Sequence, residues 1–130
     1  MLEQSSARQR AAVAVTLGHK LLALLAVEVD GALALDALAD AQRWVDGAAI
    51  TAQTLTDHLV NEREEGLLLA EQRCTDERRK LAWIAFETAI AYVAWQAWNA
   101  QGEWPAALVS EVGEDTLDLL REQADAAGVR

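Results

Sequence analysis

The sequence predicts an all-α protein, a compact bundle of five to six helices around a central tryptophan-rich helix at about residues 76–100. Three observations carry that expectation. Apolar residues recur at helical spacing along most of the chain, and no stretch alternates with the period of a strand. The 130 residues include one proline and seven glycines, and 52% are hydrophobic, with abundant alanine and leucine that favour helix. From Arg78 to Trp98 the chain reads RRKLAWIAFETAIAYVAWQAW, apolar on nearly every side once the cations are passed, as a helix enclosed by neighbours must be. At 14.1 kDa the chain has the size of one domain, residues 1–130, whose folding should leave roughly 6,700 Å² accessible.

The first helix is expected from Ser5 or Ser6, where either hydroxyl can cap the free amides of a first turn, to about Val29. Asp30-Gly31 should stop it. Ala14, Val15, Leu21, Leu22, Leu25 and Val29 fall on one face, opposite Gln9, Thr16, His19 and Lys20, which makes His19 a solvated residue. A second helix, Leu33 to Asp46 and closed by Gly47, turns Leu38, Ala41, Trp44 and Val45 inward. Its outer stripe holds Asp36, Asp40 and Arg43, with Arg43 placed to pair with Asp40. A third helix, Thr51 to Asn61, buries Ala52, Leu55 and Leu59 before the charged break NEREEG, where Gly66 marks a turn. Leu67, Leu68 and Leu69 restore apolar character, so this connection should fold back onto the core.

The central helix starts at Thr75 or Asp76, whose oxygens can cap, and Asp76 and Glu77 suit the positive end of its dipole. Leu81, Ile84, Ala91, Trp95 and Trp98 lie along one flank and Trp83, Phe86, Ile90, Val93 and Ala97 along another. A helix apolar on both flanks calls for neighbours on both. Gln101-Gly102 ends it, Pro105 opens a short segment through Val112, and a last helix from Glu114 to Ala126 turns Leu117, Leu120 and Ala124 inward. Residues 81–98 also have the length of a membrane span. Glu87 near the middle would cost about 2.5–3.5 kcal/mol there, and no second span exists to pair with it, so burial in a protein core is the better reading.

Catalytic and metal-binding patterns are missing. His19 and His58 lie in no HExxH or ExxH pattern, and His58 four residues before Glu62 reads as a surface pair. No phosphate-cradling or nucleophile-elbow glycine motif occurs, and Ser5, Ser6 and Ser110 have the spacing of caps and turns. Cys74 is the lone cysteine, a packing residue that fits a reducing compartment. Glu87 is the one carboxylate inside the apolar helix, expected to accept a structural hydrogen bond from an indole N–H or a cation, with acid–base chemistry as the rarer use of such burial. Trp44, Trp83 and Trp95 belong to inward faces. Trp98 and Trp104 bracket the Gln101-Gly102 turn, where stapling of the next helix outweighs a role as binding anchors. No cofactor and no enzymatic activity are implied.

Net charge is −10, with residues 30–60 contributing −4 and residues 101–130 contributing −5. That field repels nucleic acid and anionic membranes and attracts a basic protein surface. The amino terminus, MLEQSSARQR, is polar and lacks a cleavage site, so the expected location is the cytoplasm.

From Trp44 to Leu120 the chain resembles the all-helical immunity proteins of bacterial polymorphic-toxin systems, in particular the family numbered six in that series. The resemblance rests on order and spacing. It comprises a tryptophan-bearing second helix, the acidic break from Asn61 to Gly66, the AWIAFETAIAYVAW helix beginning at Ala82, and WPAALVSEVGEDTLDLL from Trp104 to Leu120. It implies a non-catalytic protein that binds and neutralises a cognate toxin domain, with no nucleic acid or membrane partner. The family has no fixed contact motif to carry over. Charge alone selects Asp57, Glu62, Glu64 and Glu65 as partner-binding candidates, followed by Glu114 and Asp118, for a basic toxin such as a nuclease. The alternative is a helical adaptor or self-associating scaffold module. A third class, an enzyme using Glu87, predicts a closed pocket beside that residue.

Overall fold

Why the chain folds where it does is clearest at the first helix, whose inward residues are mostly small until its last two turns. The computed structural model describes residues 2–28, 30–60, 66–105 and 109–129, with side chains from Ser6 onward. Helix α1 runs Leu2–Leu25, and Ala7, Ala11, Ala14, Gly18, Leu21 and Leu25 form one buried line along it. A Cβ at Gly18 would sit 2.9 Å from a Leu38 methyl, so this stripe brings the α1 backbone close to its neighbours. The helix starts before Ser5 and Ser6, and it ends at Leu25, short of the expected Val29, which lies outside the described residues.

Helix α2, Gly31–Val45, begins two residues earlier than expected. Gly31 permits this, because a Cβ there would stand 2.7 Å from the Leu25 carbonyl oxygen. Gly47 closes α2 with φ +94°, its amide donating to the Trp44 carbonyl while Ala48 donates to Arg43. Leu38, Ala41 and Trp44 are buried as expected, and Arg8 of α1 lies 4.7 Å above the Trp44 ring.

Helix α3, Ala52–Asp57, is capped by Thr51, whose hydroxyl accepts from the Thr54 amide. It stops well before the expected Asn61. The returning chain takes its carbonyls: Leu67 donates to His58 at 2.9 Å and Leu68 to Leu59 at 3.1 Å. Gly66 makes that return possible, with φ +132° and a would-be Cβ only 2.7 Å from both acceptor oxygens. Asn61 to Glu65 lie outside the described residues. Helix α4, Leu67–Arg73, then packs on the core through Leu67 and Ala70.

Helix α5, Glu77–Gln101, has the expected ends. Asp76 accepts from the Arg79 amide at 2.9 Å, and Gly102, left-handed at φ +72°, terminates it while Glu103 donates back to the Trp98 carbonyl. It touches all five other helices. Trp83, Phe86, Ile90, Val93 and Ala97 are all buried. The opposite flank corrects the expectation: only Trp98 is buried, Ile84, Ala91 and Trp95 are half-covered, and Leu81 is 37% exposed. No helix lies over that stripe for its whole length, because the chain after α3 forms only the short α4. Helix α6, Thr116–Ala126, begins two residues after the expected Glu114, with the Gly113 amide donating to Thr116 Oγ1 and Leu120 and Ala124 buried. Of the predicted segment Pro105 to Val112, residues 106–108 lie outside the described region, and Val109 is buried. The described residues thus form six helices and no strand, and none of these helices is long and apolar enough to cross a membrane.

Candidate functional site

The residues with unusual chemistry fall into a carboxyl pair, one member buried and the other half-buried, and two acidic surfaces. Glu87 projects from α5 into a region where α4 brings Glu71 against it. Burial, then the neighbouring Glu71 carboxylate, push its pKa up to about 9, so it holds its proton at neutral pH. Its Oε1 is buried and has no hydrogen-bond partner among the described residues, in place of the expected indole or cation. Beside it lies a shallow cleft of about 150 Å³ lined by Leu59, Leu68, Thr88 and Ala91. The cleft is open, not the closed pocket that acid–base chemistry predicts, and beyond Glu87 itself its described lining is Leu59, Leu68, Thr88 and Ala91, which add no cation.

The other candidates resolve into structural roles. Cys74 donates its thiol to Glu28 Oε1 at 2.9 Å, and burial followed by that carboxylate raises its pKa, which keeps it an unreactive thiol. His58 bonds Asp40 Oδ2 at 2.8 Å and so ties α2 to the end of α3, where the sequence had suggested Glu62 as its partner. Asp40 also takes Arg43, as expected. Partial burial of Asp40 works against its charge, yet the hydrogen bonds from His58 and Arg43 prevail and hold its carboxyl below the usual range. His19 is exposed beside Gln42. Among the described residues no group of three or more histidine, cysteine or acidic side chains is placed to hold a metal ion.

Of the charge-selected residues, Asp57 is exposed at the carboxy-terminal end of α3 and accepts from Gln53 at 2.8 Å. Glu62, Glu64 and Glu65 lie outside the described residues. Glu114 and Asp118 share the entrance to α6. Glu114 Oε2 pairs with Arg10 Nε at 3.0 Å and accepts from the Tyr92 hydroxyl, which in turn accepts from Gln96. This chain fastens α1, α5 and the α6 entrance, so Glu114 serves the fold as well as the surface. Asp118 is open to water, with Arg121 3.4 Å away. Asp57 stands apart from this pair, since α3 and α6 share no substantial packing.

The two tryptophans at the end of α5 separate sharply. Trp98 is 8% exposed and donates its indole N–H to Thr56 at 3.0 Å, while Gln101 Oε1 accepts from the first amide of α3 at 2.7 Å. Trp98 therefore staples α5 to α3, an earlier helix. Trp104 makes no such bond among the described residues. It is 93% exposed and forms one wall of a groove of about 600 Å³ with Trp95, Asn99, Gly102, Glu103, Pro105 and Ser110. Charge alone could not find this groove, because its signal is an indole left in water.

No curated protein and no solved structure matches the chain. Residues 9–126 match the family described as Immunity protein Imm6. An all-helical bundle without catalytic equipment, strongly acidic and matched over nearly its whole length, thus belongs to the Imm6 immunity protein family, whose members are non-catalytic and whose role implies neutralisation of a cognate toxin.

Proposed function

We propose that this protein neutralises its toxin by stoichiometric binding, masking a functional face of the toxin domain without altering it chemically. The observation that carries the reading is the family match over residues 9–126 in a chain of net charge −10. A protein that acts by occupancy needs a fast encounter, and an acidic field accelerates approach to a basic surface such as that of a nuclease. Asp57, Glu62, Glu64, Glu65, Glu114 and Asp118 contribute charge to that field. Neutralisation takes place in the cytoplasm, where a toxin of this kind would meet its target.

Co-expression with the cognate toxin domain, to be sought among the neighbouring genes, tests the proposal. The two chains should co-purify as an equimolar complex, the cells should survive, and the association rate should fall steeply as salt is raised from 50 to 500 mM, a span of roughly threefold in screening length. Killing that continues in the presence of the folded chain, without co-purification, would sink it.

A further inference from the structure

The exposed indole of Trp104 and its groove locate the docking face more narrowly than charge does. A lone exposed apolar side chain is ordinary, but an exposed indole that shares a groove with a second indole is the kind of patch that marks an interaction site, and tryptophan is enriched among binding anchors. Trp104 does not stand alone. Trp95, half-buried on α5, forms the facing wall, and Ala91, Ile84 and Leu81 continue the uncovered stripe along the helix. Acidic residues accompany it: Glu103 lines the groove, and the exposed Glu111 follows its lining residue Ser110 in the chain. Glu114 belongs to the same side, because Tyr92, which donates to it, has its ring 6.0 Å from that of Trp95. No lysine, arginine or histidine occurs in the sequence between Lys80 and Arg121.

We infer that the Trp95–Trp104 groove is the anchoring site for the cognate toxin, and that it takes a basic face whose lysine or arginine stems lie against the two indoles. The inference rests on the toxin-binding reading and adds its location. The chemistry fits this occupant. A guanidinium or ammonium group is attracted to an indole face, its aliphatic stem covers apolar surface, and its charge meets the carboxylates of Glu103 and Glu111. A second copy of the chain fits poorly. In a twofold contact the same patch meets itself, which would set the Glu103 and Glu111 carboxylates against their own copies, and the Arg10 guanidinium on this side is already paired with Glu114.

The test uses the full chain and, as probe, the toxin domain that it protects cells against, carrying an inactivating substitution, with affinity measured by calorimetry and kinetics by surface capture. Trp104→Ala should keep the melting temperature of the free chain and lose affinity by about 30-fold or more, chiefly through faster dissociation. Glu103→Gln with Glu111→Gln should slow association and flatten its salt dependence, whereas Asp57→Asn should change affinity less than either. If the unaltered chain binds tightly and Trp104→Ala binds within twofold of it, this location is wrong and the toxin-binding reading stands. If the unaltered chain does not bind, both fail. A homodimer of the free chain that Trp104→Ala dissolves would reassign the groove to self-association. Should the variant not fold, acrylamide quenching of the unaltered chain decides: loss of the exposed indole's quenching in the complex supports the site, and its persistence overturns it.

Discussion

The two flanks of α5 meet opposite surroundings, and Trp98 and Trp104 show the contrast across a single turn. On the covered flank Trp83, Phe86, Ile90, Val93 and Ala97 are enclosed by helices. Along the other flank Trp98 alone is buried, with a hydroxyl to bond, while Leu81, Ile84, Ala91 and Trp95 are half-covered or exposed and, beyond the turn, Trp104 meets water. What separates the two indoles is a partner. Thr56 presents an oxygen to Trp98 because its own hydroxyl is fixed on the Ala52 carbonyl at 2.9 Å, within a helix whose first amide is held by Gln101. No described element plays that part for Trp104. The covered flank is therefore a fold device and the open one is available for recognition.

The largest expected effect lies at the buried indole. Trp98→Ala should cost about 3–5 kcal/mol in denaturant unfolding, from the cavity left and from a buried Thr56 oxygen with no donor. A loss under 1 kcal/mol would mean that Trp98 is no more a core residue than Trp104. Glu87, at the border of the two flanks, should make stability depend on pH. Its pKa is raised from 4.5 to about 9 in the fold, so its contribution is complete below about pH 4.5, shrinks as pH rises, and is gone above about pH 9. Unfolding free energy should fall by about 1 kcal/mol per pH unit within that window, and Glu87→Gln, which cannot ionise, should flatten the slope. An unchanged slope would show that Glu87 ionises as freely folded as unfolded. Thr56→Val, which removes the acceptor but keeps the shape, should cost about 1–3 kcal/mol and leave the rest of the α3–α5 contact in place. Smallest of all is Trp104→Ala, expected to change stability by no more than about 0.5 kcal/mol in the same unfolding assay.

How much of this was written in the sequence follows the range of the interactions. Local signals were legible: the Asp76 cap, the Gly102 stop, the Gly47 closure of α2, the inward face of α2 and the Trp83-to-Ala97 flank of α5 depend on residues within a few positions of one another, whereas the Leu81-to-Trp95 flank was read as covered and is not. The end of α3 was not, because it is set by Leu67 and Leu68 returning to His58 and Leu59 through Gly66, a contact that helical periodicity cannot encode. Side-chain partners chosen by tertiary packing were also hidden. His58 found Asp40, Glu87 met Glu71, and Glu114 was taken by Arg10 and Tyr92, each from a different helix or connection. Of the site, charge marked the acidic surfaces but ranked their residues by number alone. Trp104 stood in plain view in the sequence, and only its exposure distinguishes it from the tryptophans that build the core.

The claim that recognition on the open flank is separable from folding on the covered one is tested most directly by survival. Cells producing the active toxin domain should be protected by the unaltered chain, and lose protection with Trp104→Ala even though that variant accumulates and melts as the unaltered chain does. Full protection by a folded Trp104→Ala would contradict the account.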